Sequence, residues 1–496
     1  MTSRLTRRVV LGGLAATAGS MALASAPSSS VRPRPRGEAG LASTPSAPKA
    51  LVSQSESLVK KAALSGDVGF AVVDVKSGEV LETRMGTVPL PPASTLKTVT
   101  SLYALDRLGP QHRFRTQVLV TGALRNGRVE GDLILVGGGD PTLDTDGLAD
   151  LAVLVREAGI HEVTGAFKVY DGALPRGDRI DTEQPEHVSY NPAFGGLNLN
   201  YNRVHFEWKR TQDSYEISME ARATRFAPST NVASMAVVDR KTPVFDHWSN
   251  GNRDNWSVAR FALGSEGARW LPVRYPALYA GDVFRTLARS NGLVLQPATI
   301  IHALPEGTFI AEVASEPLQP ILKDMLKYST NLTAEISGLT ASLSSRGVPS
   351  LERSAWRMSV FARNLGAEDA IFKDHSGLNY DNGITPAGMA RVLAANASLA
   401  EMLKTVNLSA GKSLPAPKGV TAHAKTGTLN FVSSLAGFIE TTRGRKLAFA
   451  FLSADTARRD AIPLAERESP AGAKSWANRS RNLQRDLIRN WADIYA

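Results

Sequence analysis

The sequence predicts an α+β fold. Strand-like runs with turn residues between them occur near both ends of the chain, and helical apolar spacing marks separate stretches. The span 165–305 reads as mostly strand-like or irregular.

In chain order, Val68 to Val75 is an apolar, β-branched run. Lys76-Ser77-Gly78 makes a turn and Glu79 to Thr83 returns, which is a hairpin. Pro91-Pro92-Ala93-Ser94 precedes Val99, Leu102, Tyr103 and Leu105, which share one helical face, so Ser94 lies near a helix N-terminus. Thr116 to Val120, Gly122 to Gly127 and Asp132 to Val136 read as strands and turns, and Leu148 to Ala158 as a helix. One further helix falls around Val283 to Arg289. Leu318, Ile321, Leu322, Met325 and Leu326 then recur at helical spacing up to Tyr328, and a second helical pattern starts at Leu332. Thr421 to Lys425, Leu435 to Glu440 and Lys446 to Leu452 read as strands, with Arg443-Gly444 as a turn. Trp476, Leu483, Leu487, Trp491 and Ile494 give a C-terminal amphipathic helix, better suited to packing on those strands than to a membrane surface. No internal repeat is present.

Composition narrows the chemistry. The chain has 496 residues, 43 % hydrophobic and 21 % charged, which is a globular composition. It has no cysteine, which excludes disulfides, thiolate-bound metals and thiol nucleophiles. No H-E-x-x-H is present among its eight histidines. The formal charge of +10 is modest for this length and forms no long basic run, so nucleic-acid binding is not expected. Neither a metal nor a cofactor is expected.

Residues 1–26 read as an export signal. Arg7-Arg8 stand before a short stretch of small apolar residues, Val9 to Leu23, and A-x-A sites end at Ala24 and Ala26. The paired arginines, with Leu11 three positions on, are similar to a twin-arginine signal. Residues 27–50, with five prolines among Ser, Ala and Arg, read as a flexible leader. No later segment is apolar for long enough to cross a bilayer, so the expected location is periplasmic or otherwise extracytoplasmic, with membrane association at most peripheral.

Without cysteine or metal, catalysis falls to Ser, Thr, Lys, His and carboxylates. Ser94-Thr95-Leu96-Lys97 is an S-x-x-K, which on a helix puts the hydroxyl and the amine on one face. A serine hydroxyl needs a neighbour to take its proton, and a lysine can do so only when neutral. The same spacing occurs at Ser46–Lys49, Ser57–Lys60 and Ser409–Lys412, but only Ser94 has the Pro-Ala entry and the apolar helical face behind it. Ser329-Thr330-Asn331 places a hydroxyl and an amide on a tight connection between helices. Three other S-x-N triplets exist, at Ser189, Ser229 and Ser480. Lys425-Thr426-Gly427 is the single K-T-G, ending a strand-like run and continuing into Thr428. A cation, hydroxyls and a glycine on one strand make a carboxylate-binding edge beside which a peptide can pair. His423 shares the strand face of Lys425 and reads as a packing or surface histidine.

The ordered trio S-x-x-K, S-x-N and K-T-G resembles the signature of β-lactamases and penicillin-binding proteins. The likeness is closer than that superfamily. Ser329 follows Ser94 by 235 positions, whereas Lys425 follows Ser329 by only 96. This layout resembles penicillin-binding-protein-4-type D-alanyl-D-alanine carboxypeptidases/endopeptidases, whose first gap holds two inserted domains. Gly138-Gly139-Asp140-Pro141-Thr142-Leu143, Leu326 to Leu332 and Ala424 to Leu429 are similar to family sequences as well. Asp374-His375-Ser376-Gly377-Leu378 departs from the family's Asp-Gly-Ser-Gly-Leu, and Tyr380 stands where an arginine often follows.

The resemblance implies a β-lactamase/transpeptidase-like catalytic domain, an antiparallel sheet sandwiched by helices, made from 50–115 and 305–496. The region 116–304 is then an insertion of two smaller, mainly β domains. It implies that Ser94 is acylated by peptidoglycan stem peptides ending in D-Ala-D-Ala, and by β-lactams that mimic them. Lys97 takes the serine proton, and Ser329 passes a proton to the leaving amine with Lys425 close behind. Asn331 orients Lys97 and the substrate amide. Thr426, Gly427 and Thr428 line the substrate edge. The threonines and Lys425 bind the terminal carboxylate, and the N–H groups of Ser94 and Thr428 form the oxyanion hole. Lys425 is expected to lower the pKa of Lys97 by charge repulsion. Which lysine acts as base at each step stays open. Two other readings share the fold: a β-lactamase, and a catalytically silent wall-binding protein.

Overall fold

The computed structural model describes residues 49–343, 350–409 and 414–496. The export signal and the leader up to residue 48 lie outside the described residues, as does Lys412 of the Ser409–Lys412 pair.

Two stretches far apart in the chain build one six-stranded sheet. Its order is Lys404–Thr405, Thr421–Leu429, Val432–Glu440, Lys446–Ala454, Asp67–Asp74 and Val80–Arg84. Every pair is antiparallel. The N-terminal hairpin zips onto the C-terminal one, with Phe70 opposite Phe451 and Val72 opposite Phe449. Cross-strand pairs of this kind fix register, because a slip of one residue would turn every apolar side chain to the wrong face.

Alternation along these strands serves two cores. Phe70, Val72, Phe449 and Phe451 point to one face, where Leu483, Leu487 and Trp491 of the helix Ala473–Ile494 cover them. The helix Lys49–Ala62 joins that layer through Leu58 and Val59. Ala71, Val73, Ala448, Ala450 and Leu452 point to the other face. There they meet the helices Leu96–Leu108, Leu318–Tyr328, Asn331–Ala341, Leu351–Asn364 and Pro386–Ala394. Both faces of the sheet are buried, which is why these strands read as nearly continuous apolar runs.

The chain between the two halves carries its own sheets. A five-stranded sheet runs Thr299–Ile301, Phe167–Tyr170, Leu133–Gly137, Arg115–Val120 and Thr308–Ala314. Its first two neighbouring pairs are parallel and the others antiparallel. Helices Thr145–Glu157 and Pro276–Ser290 share its apolar core. The second helix starts earlier than the Val283–Arg289 stretch visible in the sequence, its first turns running from Pro276 to Asp282 and including Gly281. Two three-stranded sheets follow, one around Arg203–Arg210 and one around Asp254–Ala259. The strands Arg115–Val120 and Thr308–Ala314 pair with each other, so the chain enters and leaves this sheet at one place, and the sheet extends past residue 304, where the insertion was expected to end.

The indole of Trp491 is fully buried, with ring centroids 5.4 Å from Phe70 and 5.9 Å from Phe449. Trp491→Ala therefore opens a cavity against the sheet and should cost about 3–5 kcal/mol of stability in urea unfolding. A loss under about 1 kcal/mol would show that this helix is not keyed to the sheet by the indole.

Candidate active site

Ser94 lies in a single 3₁₀ turn, Ala93–Thr95, that continues directly into the helix Leu96–Leu108. Three residues on, Lys97 is the second residue of that helix and is completely buried. Its Nζ lies 3.0 Å from Ser94 Oγ, 2.7 Å from Asn331 Oδ1 and 2.7 Å from the Ser376 carbonyl oxygen. A neutral amine has two N–H bonds and one lone pair. The amide oxygen and the carbonyl can accept only, so they take the two N–H bonds. The lone pair is then left facing the serine hydroxyl.

Ser329 caps the C-terminus of the helix Leu318–Tyr328 in a left-handed conformation, φ 61°. That reversal lets Asn331 begin the next helix, so Ser329 and Asn331 face the same space. Lys425 Nζ donates to Ser329 Oγ at 3.0 Å and to the Thr426 carbonyl at 2.7 Å. Asn331 Nδ2 donates to the Tyr190 carbonyl at 2.8 Å, which ties the inserted region to this junction.

Gly427 explains how the strand Thr421–Leu429 comes so near Ser94. A Cβ there would stand 2.9 Å from the Ser94 amide nitrogen and 2.8 Å from the Pro92 carbonyl oxygen. The neighbouring strand braces the turn on the same side, since Ser434, paired opposite Gly427, donates its Oγ–H to the Pro92 carbonyl at 2.5 Å. Thr426 and Thr428 are two apart on the strand and both exposed, so they share one open face.

These elements rim a cleft of about 450 Å³. Ser94, Ser329, Asn331 and Thr428 line it, together with Tyr190, Tyr380, Glu468, Lys474 and Arg481. Lys97 and Lys425 lie behind its surface, nearly or wholly buried, and Thr426 lies beyond its lining. The eight residues singled out in the sequence thus come from three distant stretches into one neighbourhood. His423 is only partly buried and joins none of these bonds.

Burial pushes Lys97 down to about 8, while the carboxylates of Asp374 and Glu335 pull the other way. Lys425 is held well below the ordinary lysine value, first by burial and then by the charges of Lys97 and Lys404. Loss of water is the main cause at Lys97, and the repulsion expected between the two lysines is mutual, adding to the effect of burial at Lys425.

Behind Lys97 lies a network the motifs did not reveal. Glu335, one helical turn after Asn331, accepts from the His375 amide, His375 Nδ1 and the Ser376 amide at 3.0, 3.0 and 2.9 Å. Burial works to raise the Glu335 pKa, but the His375 bonds and charge outweigh it and keep the carboxyl ionised more readily than usual. This holds the Ser376 carbonyl on Lys97. Gly338 leaves the space that the His375 ring fills, so the histidine in place of the family's glycine is matched by a missing side chain on the facing helix. The sequence signal for this was the Asp374 to Leu378 stretch itself, which carries its contribution to Lys97 in a backbone carbonyl. Tyr380 stacks under the Arg459 guanidinium, 3.5 Å from the ring centroid, so a cation still stands beside the position where the family often has arginine.

The model of the D-Ala-D-Ala carboxypeptidase 3 (S13) family matches residues 51–470. A D-alanyl-D-alanine carboxypeptidase of Actinomadura sp. (strain R39) is 28% identical over 463 residues, covering 84% of this chain and 86% of that protein. D-alanyl-D-alanine carboxypeptidase DacB of Haemophilus influenzae is 24% identical over 424 residues, covering 79% and 86%. Among solved structures, penicillin binding protein 4 of Haemophilus influenzae superposes with a TM-score of 0.72 at 22% identity, covering 88% of this chain and 99% of that one. The same protein complexed with a β-lactam gives 0.69.

Two outcomes follow from the geometry. With Lys97 near 8, its neutral fraction grows about tenfold per pH unit below that value and levels off above it. The second-order rate of β-lactam acylation, followed from pH 6 to 9.5, should rise with an inflection near 8, and a flat profile would contradict it. Gly427→Val should cut acylation by about 100-fold, because the strand must retreat from the Ser94 amide. Stopped-flow labelling of the folded variant checks this.

Proposed function

From the premise that the chain belongs to the D-Ala-D-Ala carboxypeptidase 3 (S13) family and is a serine-type carboxypeptidase, we propose that Ser94 is its nucleophile and Lys97 the base that activates it. The arrangement of Lys97, with both N–H bonds engaged and its lone pair 3.0 Å from Ser94 Oγ, carries this assignment. Ser94 Oγ attacks the carbonyl between two D-alanines as its proton passes to Lys97 Nζ. The N–H groups of Ser94 and Thr428 hold the oxyanion, each worth about 10²–10³ in rate. When the C–N bond breaks, the leaving amine takes a proton through Ser329 Oγ, with Lys425 Nζ 3.0 Å behind it. Asn331 holds Lys97 and faces the substrate amide. Lys425, Thr426 and Thr428 receive the terminal carboxylate, with Gly427 allowing the close approach. Water then hydrolyses the ester on Ser94.

β-Lactams fit the same cleft, because their strained amide offers a carbonyl beside a carboxylate, and they acylate Ser94. The natural substrate in this reading is the D-Ala-D-Ala end of a peptidoglycan stem peptide, and the protein works outside the cytoplasm. Among the described residues no helix is long and apolar enough to cross a membrane. The family match runs through the span 116–304, which a short β-lactamase has no need of.

A fluorescent penicillin tests the assignment. The wild-type protein should carry a stable label and release D-Ala from a D-Ala-D-Ala peptide. Ser94→Ala should lose both, by about 10⁴-fold or more. A variant that still labels would move the nucleophile elsewhere.

A further inference from the structure

A loop from the catalytic body reaches over one end of the cleft and is fastened to the inserted region. It follows the short helix Leu464–Glu466 and precedes the helix Ala473–Ile494. Arg467 Nη1 donates to the Glu183 carboxylate at 2.6 Å and to the Glu183 carbonyl at 2.9 Å. Glu468 takes His187 Nε2 on one oxygen and Arg269 Nη2 on the other, both at 2.6 Å. Those bonds hold the Glu468 carboxyl down to about 2. The loop is also seated at the end of the substrate strand, since Asn430, in the turn just after Leu429, donates from Nδ2 to the Arg467 carbonyl at 2.5 Å. Glu468, Ser469 and Pro470 line the cleft together with Gln184 and Tyr190.

The position of this strap along the strand gives it a meaning, which rests on the reading of the site above. The terminal carboxylate lies at Lys425 and Thr426, and the oxyanion at Thr428. Strand residues advance about 3.3 Å each, so the stem residue before the two D-alanines lies over Leu429 and Asn430. That is where the strap crosses. A free pentapeptide has only two residues beyond that point, which can bend out, but a stem still joined to its glycan strand must continue past it.

We propose that the strap of Arg467 and Glu468, clasped by Glu183, His187 and Arg269, is a size-selecting gate that favours short, released stem peptides and must open to admit stems attached to glycan. The clasp is ionic and partly exposed, with the Glu468 side chain 43% accessible. Each such pair is weak and screened by salt, so the gate opens at small cost.

The test breaks the clasp from the side that does not line the cleft. In the full chain, Glu183→Ala combined with Arg269→Ala should leave fluorescent-penicillin acylation and D-Ala release from a free pentapeptide within about twofold. D-Ala release from isolated pentapeptide-rich sacculi should rise by about threefold to fivefold. Arg269→Lys should restore much of the wild-type ratio. Raising salt from about 0.05 to 0.5 M should raise the sacculus-to-pentapeptide ratio of the wild type but not of the double variant. A ratio unchanged by both substitution and salt, with penicillin labelling intact, would overturn the gate. Absence of labelling in the wild type would instead overturn the site reading beneath it. Should the double variant fold poorly, the wild-type salt response alone decides.

Discussion

The site depends on keeping one ammonium group out of water. Lys97 is wholly enclosed and meets only an amide oxygen, a backbone carbonyl and the serine hydroxyl. None of these carries a formal charge, so burial wins over the two nearby carboxylates and the amine gives up its proton near 8 rather than at the ordinary 10.5. A lysine on the surface, at the same spacing from a serine, could not act as a base. This separates Ser94–Lys97 from Ser57–Lys60, where both residues are exposed on the helix Lys49–Ala62.

Much of the fold can be understood as the means of building that enclosure. Lys97 needs a helix end, a junction between two helices and a loop to surround it, and these come from chain positions more than 230 residues apart. The six-stranded sheet brings them together by pairing the N-terminal hairpin with the C-terminal strands. Close approach then depends on missing side chains. Gly427 admits the strand to the Ser94 turn, Gly377 admits the loop to the Ala93 carbonyl, and Gly338 admits the His375 ring. The insertion adds a further wall, with Tyr190 on Asn331 and the clasp on the strap.

The sequence made legible those features whose chemistry sits in side chains at short spacing. S-x-x-K, S-x-N and K-T-G were visible because each is a local pattern, and Leu318 to Tyr328 because its apolar spacing is strongly periodic. The helices Leu351–Asn364 and Pro386–Ala394 were not marked out, the first being largely polar and the second short. The Ser376 contribution is a carbonyl, which no residue type announces. The pairing of Glu335 with His375 joins residues 40 positions apart, and that of His187 with Glu468 joins residues 281 apart, so neither has a local signature. The weight of burial in the Lys97 shift was hidden for a related reason. Charge neighbours can be guessed from motifs, but the depth of burial is set by the whole helical layer.

The most direct measurement is the titration of Lys97 itself. In protein carrying lysine labelled with ¹³C at Cε, the Lys97 resonance is assigned by its loss in Lys97→Arg and followed with pH. A midpoint near 8 is the result this account requires. A midpoint near 10.5, the value of a solvated lysine, would mean that the amine stays charged beside Ser94 and cannot be the base.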